Sequence, residues 1–248
     1  RLQHMSRPYE VIIAEDNPRD REFLSDNLTG YSLTLSSDSR HALELALQSA
    51  TPYIITDLQM PELNGIELAK LIWQKKPSAR IVFWSHYGDE TYIRSLSKII
   101  PEDTVYAYIL KDNPSEIINK ACHAVFEEDQ CWIDNKLRPA QSRNHTPDSA
   151  VSDIEYEVLI DIALGLTDNM IAQRRYLSRR GAQNRLKSLY SKLGVTHEHG
   201  ENQNSDALNL RTRAISIAMR RGLLNNYNLE EEERLLQKWL KSVKDKNE

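Results

Sequence analysis

The sequence predicts an α/β fold, a doubly wound parallel sheet, followed by an all-α domain. Three observations predict it. Over the first 130 residues, short apolar runs alternate with segments whose apolar residues recur every three or four positions, the pattern of strands joined by crossover helices. A polar stretch, "DNKLRPAQSRNHTPDSA" (134–150), then carries two prolines and no periodicity, as a linker does. Beyond it, the apolar spacing is helical throughout.

In chain order, "YEVIIAED", "YIITD", "ARIVFWS" and "VYAYILK" read as strands. "YSLTLSS" adds another, because Leu33 and Leu35 alternate with polar residues. The near-continuous apolar runs suit a parallel sheet covered on both faces, with right-handed crossovers. Between them, "RDREFLSDNL", "SRHALELALQS", "GIELAKLIWQKK" and "DETYIRSLSKII" read as helices. In the second domain, "SDIEYEVLIDIALG" opens with Ser152 and Glu155 at capping-box spacing and stops at Gly165. Thr167 caps "TDNMIAQRRY", and Ser178 caps "SRRGAQNRLKSLYSKLG". "RTRAISIAMRRGLL" is a fourth helix, and Leu229, Leu235, Leu236, Trp239, Leu240 and Val243 form an apolar stripe along a last one.

A chain of 248 residues has room for two domains. Its 40% hydrophobic and 27% charged residues are those of a globular protein. No apolar run reaches the roughly 18 residues that cross a bilayer, and no signal peptide is visible. The opening "RLQHM" reads as an expression-tag remnant, which puts the natural start at Met5. Cys122 and Cys131 are too few and wrongly spaced for a zinc site or disulfide framework. They read as thiols of a cytoplasmic protein. The net charge of -4 hides an asymmetry, because residues 1–150 are acidic and residues 151–248 slightly basic. Met170 to Gly194 carries Arg174, Arg175, Arg179, Arg180, Arg185, Lys187 and Lys192 with no acid. That is either a solvated face or a nucleic-acid footprint.

The chemistry concentrates at strand ends. The first strand ends in Glu15-Asp16 and the third in Asp57, where open α/β sheets place their ligand crevices. Three crowded carboxylates favour a divalent cation, and all-oxygen ligands suit Mg²⁺. The fourth strand ends in Ser85 and the fifth in Lys111. Acids, a hydroxyl and a lysine in that arrangement suit an acyl phosphate on Asp57.

The set Glu15-Asp16, "TDLQMPELNG", Ser85 and "YILK" resembles the receiver domain of bacterial two-component response regulators, a flavodoxin-like fold, over roughly residues 8–130. The resemblance implies that Asp57 takes phosphate from a sensor histidine kinase. It implies Mg²⁺ on Asp16, Asp57 and the Gln59 carbonyl, with Glu15 acting through water. It implies that Ser85 moves to the phosphoryl group, Lys111 pairs with it, and Tyr108 is the aromatic switch. The implied activity is self-phosphotransfer and self-dephosphorylation, not turnover of another substrate. Ala107 and the segment "SKIIPED" depart from the family pattern. Tyr87, two residues past Ser85, is bulky enough to shield an acyl phosphate and predicts slow self-dephosphorylation.

Residues 151–224 resemble a LuxR-type helix-turn-helix through Glu155, "EVL", "GLT", "IA", Ser178 and "KLGV", with "RTRAISIAMRRGLL" as the closing helix. Receiver plus this module is the arrangement of NarL/FixJ regulators, which act on promoter DNA and pair as homodimers when active. Residues 131–150 would be the linker and 225–248 an amphipathic C-terminal helix. A helix starting near Ser178 can present its first turns to a major groove. Arg179, Arg180, Gln183, Asn184 and Lys187 lie on those turns, flanked by Arg174 and Arg175, and form the expected DNA-binding set. Leu186, Leu189 and Leu193 belong to the core instead. Gly181-Ala182-Gln183 replaces the family's usual Thr-Val-Lys. The insertion "THEHGENQNSDALNL" (196–210) reads as a loop whose His197 and His199 are solvated. These departures leave an alternative open, a protein-interaction adaptor whose helix-turn-helix no longer reads DNA.

Overall fold

The computed structural model describes residues 9–195 and 208–245. The polypeptide divides into two compact units, one formed by residues up to Gly88 and Tyr92–Arg138, the other by Asp89–Thr91 and the residues from Pro139 on.

The first unit is a six-stranded parallel sheet of order β2-β1-β3-β4-β5-β6. Its strands are β1 (Tyr9–Ala14), β2 (Tyr31–Ser36), β3 (Tyr53–Thr56), β4 (Arg80–Ser85), β5 (Tyr106–Leu110) and β6 (Trp132–Ile133). The register puts Ala14 beside Thr56 and Ser85 beside Leu110, so Glu15, Asp57 and Lys111 leave the sheet along one edge. The helices are α1 (Pro18–Asn27), α2 (Ser39–Gln48), α3 (Gly65–Lys75), α4 (Glu90–Ser97) and α5 (Ser115–Phe126). Because successive strand residues face opposite ways, Val11, Ile13, Ile55, Val82 and Ile109 pack against Leu24 and Leu28, Ile118 and Val125 on α1, its C-cap and α5. On the opposite face, Phe83 meets Trp73 of α3 edge-on.

The stretch expected to be an irregular linker is structured. Trp132 and Ile133 pair parallel to Ala107 and Tyr108. The Asp134 carboxylate then accepts from Leu110 N, Asn113 Nδ2 and Lys136 N at 3.2, 2.6 and 3.0 Å. A 3-10 turn (Asn135–Leu137) and α6 (Arg138–His145) follow. Two residues of strand are too few to show a period. Pro139 lies in the first turn of α6, where its missing N–H is not needed.

The second unit holds α7 (Asp153–Ala163), α8 (Asp168–Arg174), α9 (Arg179–Lys192), α10 (Leu210–Arg221) and α11 (Asn226–Asp245). The expected caps form: Ser152 and Glu155 make a reciprocal capping box, and Thr167 and Ser178 accept from Met170 N and Gly181 N. Leu186, Leu189 and Leu193 are buried in the shared core, as expected. The α11 stripe packs back on the same core through buried Leu236 and partly buried Leu229, Trp239 and Leu240, while Leu235 stays exposed. Most of the 196–210 insertion, with His197 and His199, lies outside the described residues. No described helix is long and apolar enough to cross a membrane.

Candidate functional site

Local geometry explains how the acids arrive. The Asp57 N–H donates to the Ala14 carbonyl at 3.1 Å, which extends the β1–β3 ladder to Asp57. Asp57 Oδ1 accepts from Leu58 N at 2.6 Å, orienting the carboxylate. The chain then turns back, with Gly65 N donating to the Leu58 carbonyl at 2.9 Å. A Cβ at Gly65 would stand 1.9 Å from the Asp57 carbonyl oxygen, so this close approach demands glycine. Asn64 caps α3 in a capping box with Glu67. This accounts for the "NG" that follows the acid.

Lys111 gathers the site. Its ammonium donates to Glu15 Oε2 at 2.7 Å, Asp57 Oδ2 at 2.7 Å and Asp20 Oδ2 at 2.8 Å, and sits 4.8 Å from the Trp84 ring centroid. Burial alone would push the Lys111 ammonium down, but Asp57, Asp20 and Glu15 outweigh it and hold it above the usual lysine range. Burial raises the Glu15 carboxyl to about 7 against the lowering effect of the Lys111 bond. Glu15, Asp16 and Asp57 each offer a carboxylate oxygen within 4.8 Å of the others. One lysine does not balance four acids, and an all-oxygen cluster with spare negative charge fits a hard divalent cation.

Sequence reasoning missed Asp20. An acid in the first turn of α1 reads as ordinary helix-end complementation. The available signal was its spacing, one turn beyond Asp16 in the loop that follows β1.

The expected switch residues are buried. Tyr108 is 2% exposed and its hydroxyl donates to the Tyr87 carbonyl at 2.5 Å, so its ring lies inward. Ser85 ends β4 fully buried, its carbonyl accepting from Lys111 N at 2.9 Å. Gln59 follows Asp57 by two residues and donates through Nε2 to the Tyr92 hydroxyl at 2.5 Å. Tyr92 in turn lies against the exposed Tyr87 ring, with centroids 6.3 Å apart.

In the second unit, Arg179, Arg180, Gln183, Asn184 and Lys187 are all exposed on α9. Arg180, Gln183, Asn184 and Lys187 face away from buried Ala182, Leu186 and Leu189, as 3.6-residue spacing requires, whereas Arg179 is exposed as the first residue of the helix. Gln183 Nε2 also donates to Asp168 Oδ2 at 3.2 Å.

Arg174 and Arg175 do not belong with them. Arg174 Nη1 and Arg175 Nε reach the fully buried Asp161 at 2.5 and 2.8 Å, and their side chains are only 8% and 15% exposed. A buried carboxylate on α7 needs charged partners, and the two arginines of the α8 end supply them. Lys192 is likewise committed, donating to Glu155 Oε2 at 2.8 Å. The basic block therefore holds three structural cations.

Residues 11–122 match the response regulator receiver domain. The chain is 28% identical over 225 residues to the transcriptional regulatory protein YdfI of Bacillus subtilis (strain 168), covering 87% of this chain and 97% of the relative. It is also 28% identical over 230 residues to the transcriptional regulatory protein ComA of the same organism, covering 87% and 99%. Among solved structures, the response regulator RcsB in complex with DNA shares the fold at a TM-score of 0.56 and 23% identity, covering 85% of this chain and 99% of that one. With the acid cluster, Asp57 and Lys111 standing at the sheet edge, residues 11–122 form a response regulator receiver domain, and most of the chain is similar to transcriptional regulatory proteins.

Proposed function

We propose that this protein is a DNA-binding response regulator of the NarL/FixJ type, with residues 8–130 as the phosphoacceptor domain and 151–224 as the DNA-reading domain. The observation that carries the first half is the Asp57 carboxylate held at 2.7 Å by a buried lysine at the carboxyl edge of a parallel sheet. One Asp57 oxygen attacks the phosphorus of a phosphohistidine on a sensor histidine kinase, and the N–P bond breaks with its electron pair leaving on the imidazole. Lys111 pairs with the new phosphoryl oxygens. Glu15, Asp16, Asp57 and the Gln59 carbonyl would hold Mg²⁺, which when bound offsets the phosphoryl charge. Ser85 and Tyr108 register the change, a population shift biased by one charged group.

The second half rests on the exposed α9 face of Arg179, Arg180, Gln183, Asn184 and Lys187. Arginine and lysine suit phosphate and guanine contacts, and the two amides suit adenine edges. Pairing of two copies on promoter DNA, as in the solved structure of two RcsB dimers bound to two parallel DNAs, is part of this reading, as is a cytoplasmic setting.

The test is selection of genomic DNA fragments by the purified protein, with and without beryllofluoride and Mg²⁺, against Asp57→Ala. A motif enriched mainly by wild-type protein with the mimic supports the reading. Equal enrichment in every sample would remove the phosphate gate. No motif in any would favour the adaptor.

A further inference from the structure

Asp20 has no role in the chemistry described so far, yet it makes one of the three contacts of the Lys111 ammonium. A lysine ammonium has three N–H donors. Here all three go to carboxylates, Glu15, Asp57 and Asp20, at 2.7, 2.7 and 2.8 Å. Glu15 and Asp57 also belong to the cluster that could share a cation, and Asp20 does not. An acid in the first turn of a helix is accounted for by the helix dipole. The dipole does not account for a direct bond to a lysine whose side chain is 2% exposed.

We propose that Asp20 is a positioning residue that competes with the phosphoryl group for Lys111 and so restrains phosphorylation of Asp57; this rests on the phosphoacceptor reading above. When an Asp57 oxygen forms its O–P bond, the arriving group brings close to two negative charges. With every N–H of Lys111 engaged, one carboxylate must release it. Glu15 is held from the other side, its Oε1 accepting from Asn17 N at 3.0 Å, and its side chain is 1% exposed. Asp20 is the group free to yield: its side chain is 22% exposed, and a second partner, His86 Nε2, stands 3.4 Å from the same carboxylate oxygen. Until Asp20 yields, its charge also opposes the incoming phosphoryl group at short range. The pocket thus carries a built-in restraint on the acidic edge of α1, separate from the cation cluster.

The experiment follows labelling of the full chain by acetyl phosphate with Mg²⁺. In that reaction the acyl O–P bond of the donor breaks, its electron pair leaves on acetate, and no proton moves. Asp20→Asn removes the charge at nearly constant shape, and Asp20→Glu restores it. The expected result is labelling of Asp20→Asn about tenfold faster than wild type, the scale of one screened like-charge contact, with Asp20→Glu returning toward wild type.

Beryllofluoride should bind Asp20→Asn more tightly while Mg²⁺ affinity and melting temperature stay unchanged. Trp84, whose ring lies beneath the ammonium, provides the fluorescence signal of Lys111 displacement. A merely structural Asp20 would instead weaken Mg²⁺, beryllofluoride and the melting temperature together, and that result would overturn the proposal. So would equal or slower labelling of Asp20→Asn, or an Asp20→Asn chain that does not fold. If wild type takes up no more label than Asp57→Ala, the phosphoacceptor reading itself falls; if wild type labels at Asp57 and Asp20→Asn matches it, only this inference does.

Discussion

Arg175 grips Asp161 bidentately with one edge of its guanidinium, Nε on Oδ2 at 2.8 Å and Nη2 on Oδ1 at 2.9 Å, while Arg174 Nη1 also donates to Oδ1. The acid is fully buried between α7 and the end of α8. Removing one partner of such a cluster leaves uncompensated charge, at a cost of about 3–5 kcal/mol. Asp161→Ala should lower stability by that amount in urea unfolding of the full chain. The double replacement Asp161→Leu with Arg175→Leu should recover a large part of the loss.

Glu155 makes stability depend on acid. Burial raises its carboxyl, but the bonds from Lys192, Ser188 and Ser152 outweigh that and hold it at about 2. A carboxyl held below its unfolded value adds stability that is present above about 4.5 and is lost as pH falls from there toward about 2. Acid titration of stability should show this loss, and Glu155→Gln should be less stable at neutral pH with a flatter acid limb.

On the proposed DNA-reading role, the exposed residues of α9 divide between two kinds of contact. Arg179→Ala, Arg180→Ala or Lys187→Ala should weaken binding evenly across sequences and reduce the salt slope by about 1 for each phosphate no longer neutralised. Gln183→Ala or Asn184→Ala should change base preference, with discrimination at the affected position falling by about 1–3 kcal/mol. Arg174→Ala should act chiefly through stability, because its guanidinium is spent on Asp161.

Tyr87 and Tyr92 form an aromatic pair joined to Gln59 by a hydrogen bond, between the residues that follow Ser85 and Asp57. On the proposed phosphoacceptor reading, Tyr87 limits water at an acyl phosphate. Tyr87→Ala should shorten the lifetime of label on Asp57 several-fold. Loss of label no faster than in wild type would remove the shielding role.

Much of this was legible in the chain. Four strands announced themselves through apolar runs, β2 through alternation and α1 to α4 through helical spacing, while α5 went unread; the acids, Ser85 and Lys111 fell at strand ends that the alternation predicts. The caps at Ser152, Thr167 and Ser178 were legible because capping is local chemistry. The failures share a cause, which is dependence on a partner distant in sequence. Arg174 and Arg175 looked like DNA-binding residues because Asp161, thirteen and fourteen residues earlier, does not announce that it will be buried. Asp20 looked like a helix-end acid because Lys111 arrives from ninety-one residues away. The β6 strand was invisible because only its pairing with β5 makes two residues a strand.

That last strand has a consequence for how the protein behaves in a crowded solution. A sheet ending at β5 would expose a row of unpaired amides along the strand that carries Tyr108, and such borders recruit strands from neighbouring molecules. Here Trp132 and Ile133 occupy part of that border, and Asp134 takes the Leu110 amide just past them. The strand bearing Tyr108 is thereby guarded against intermolecular β-pairing, and a chain cut before Trp132 should aggregate more readily than the intact one.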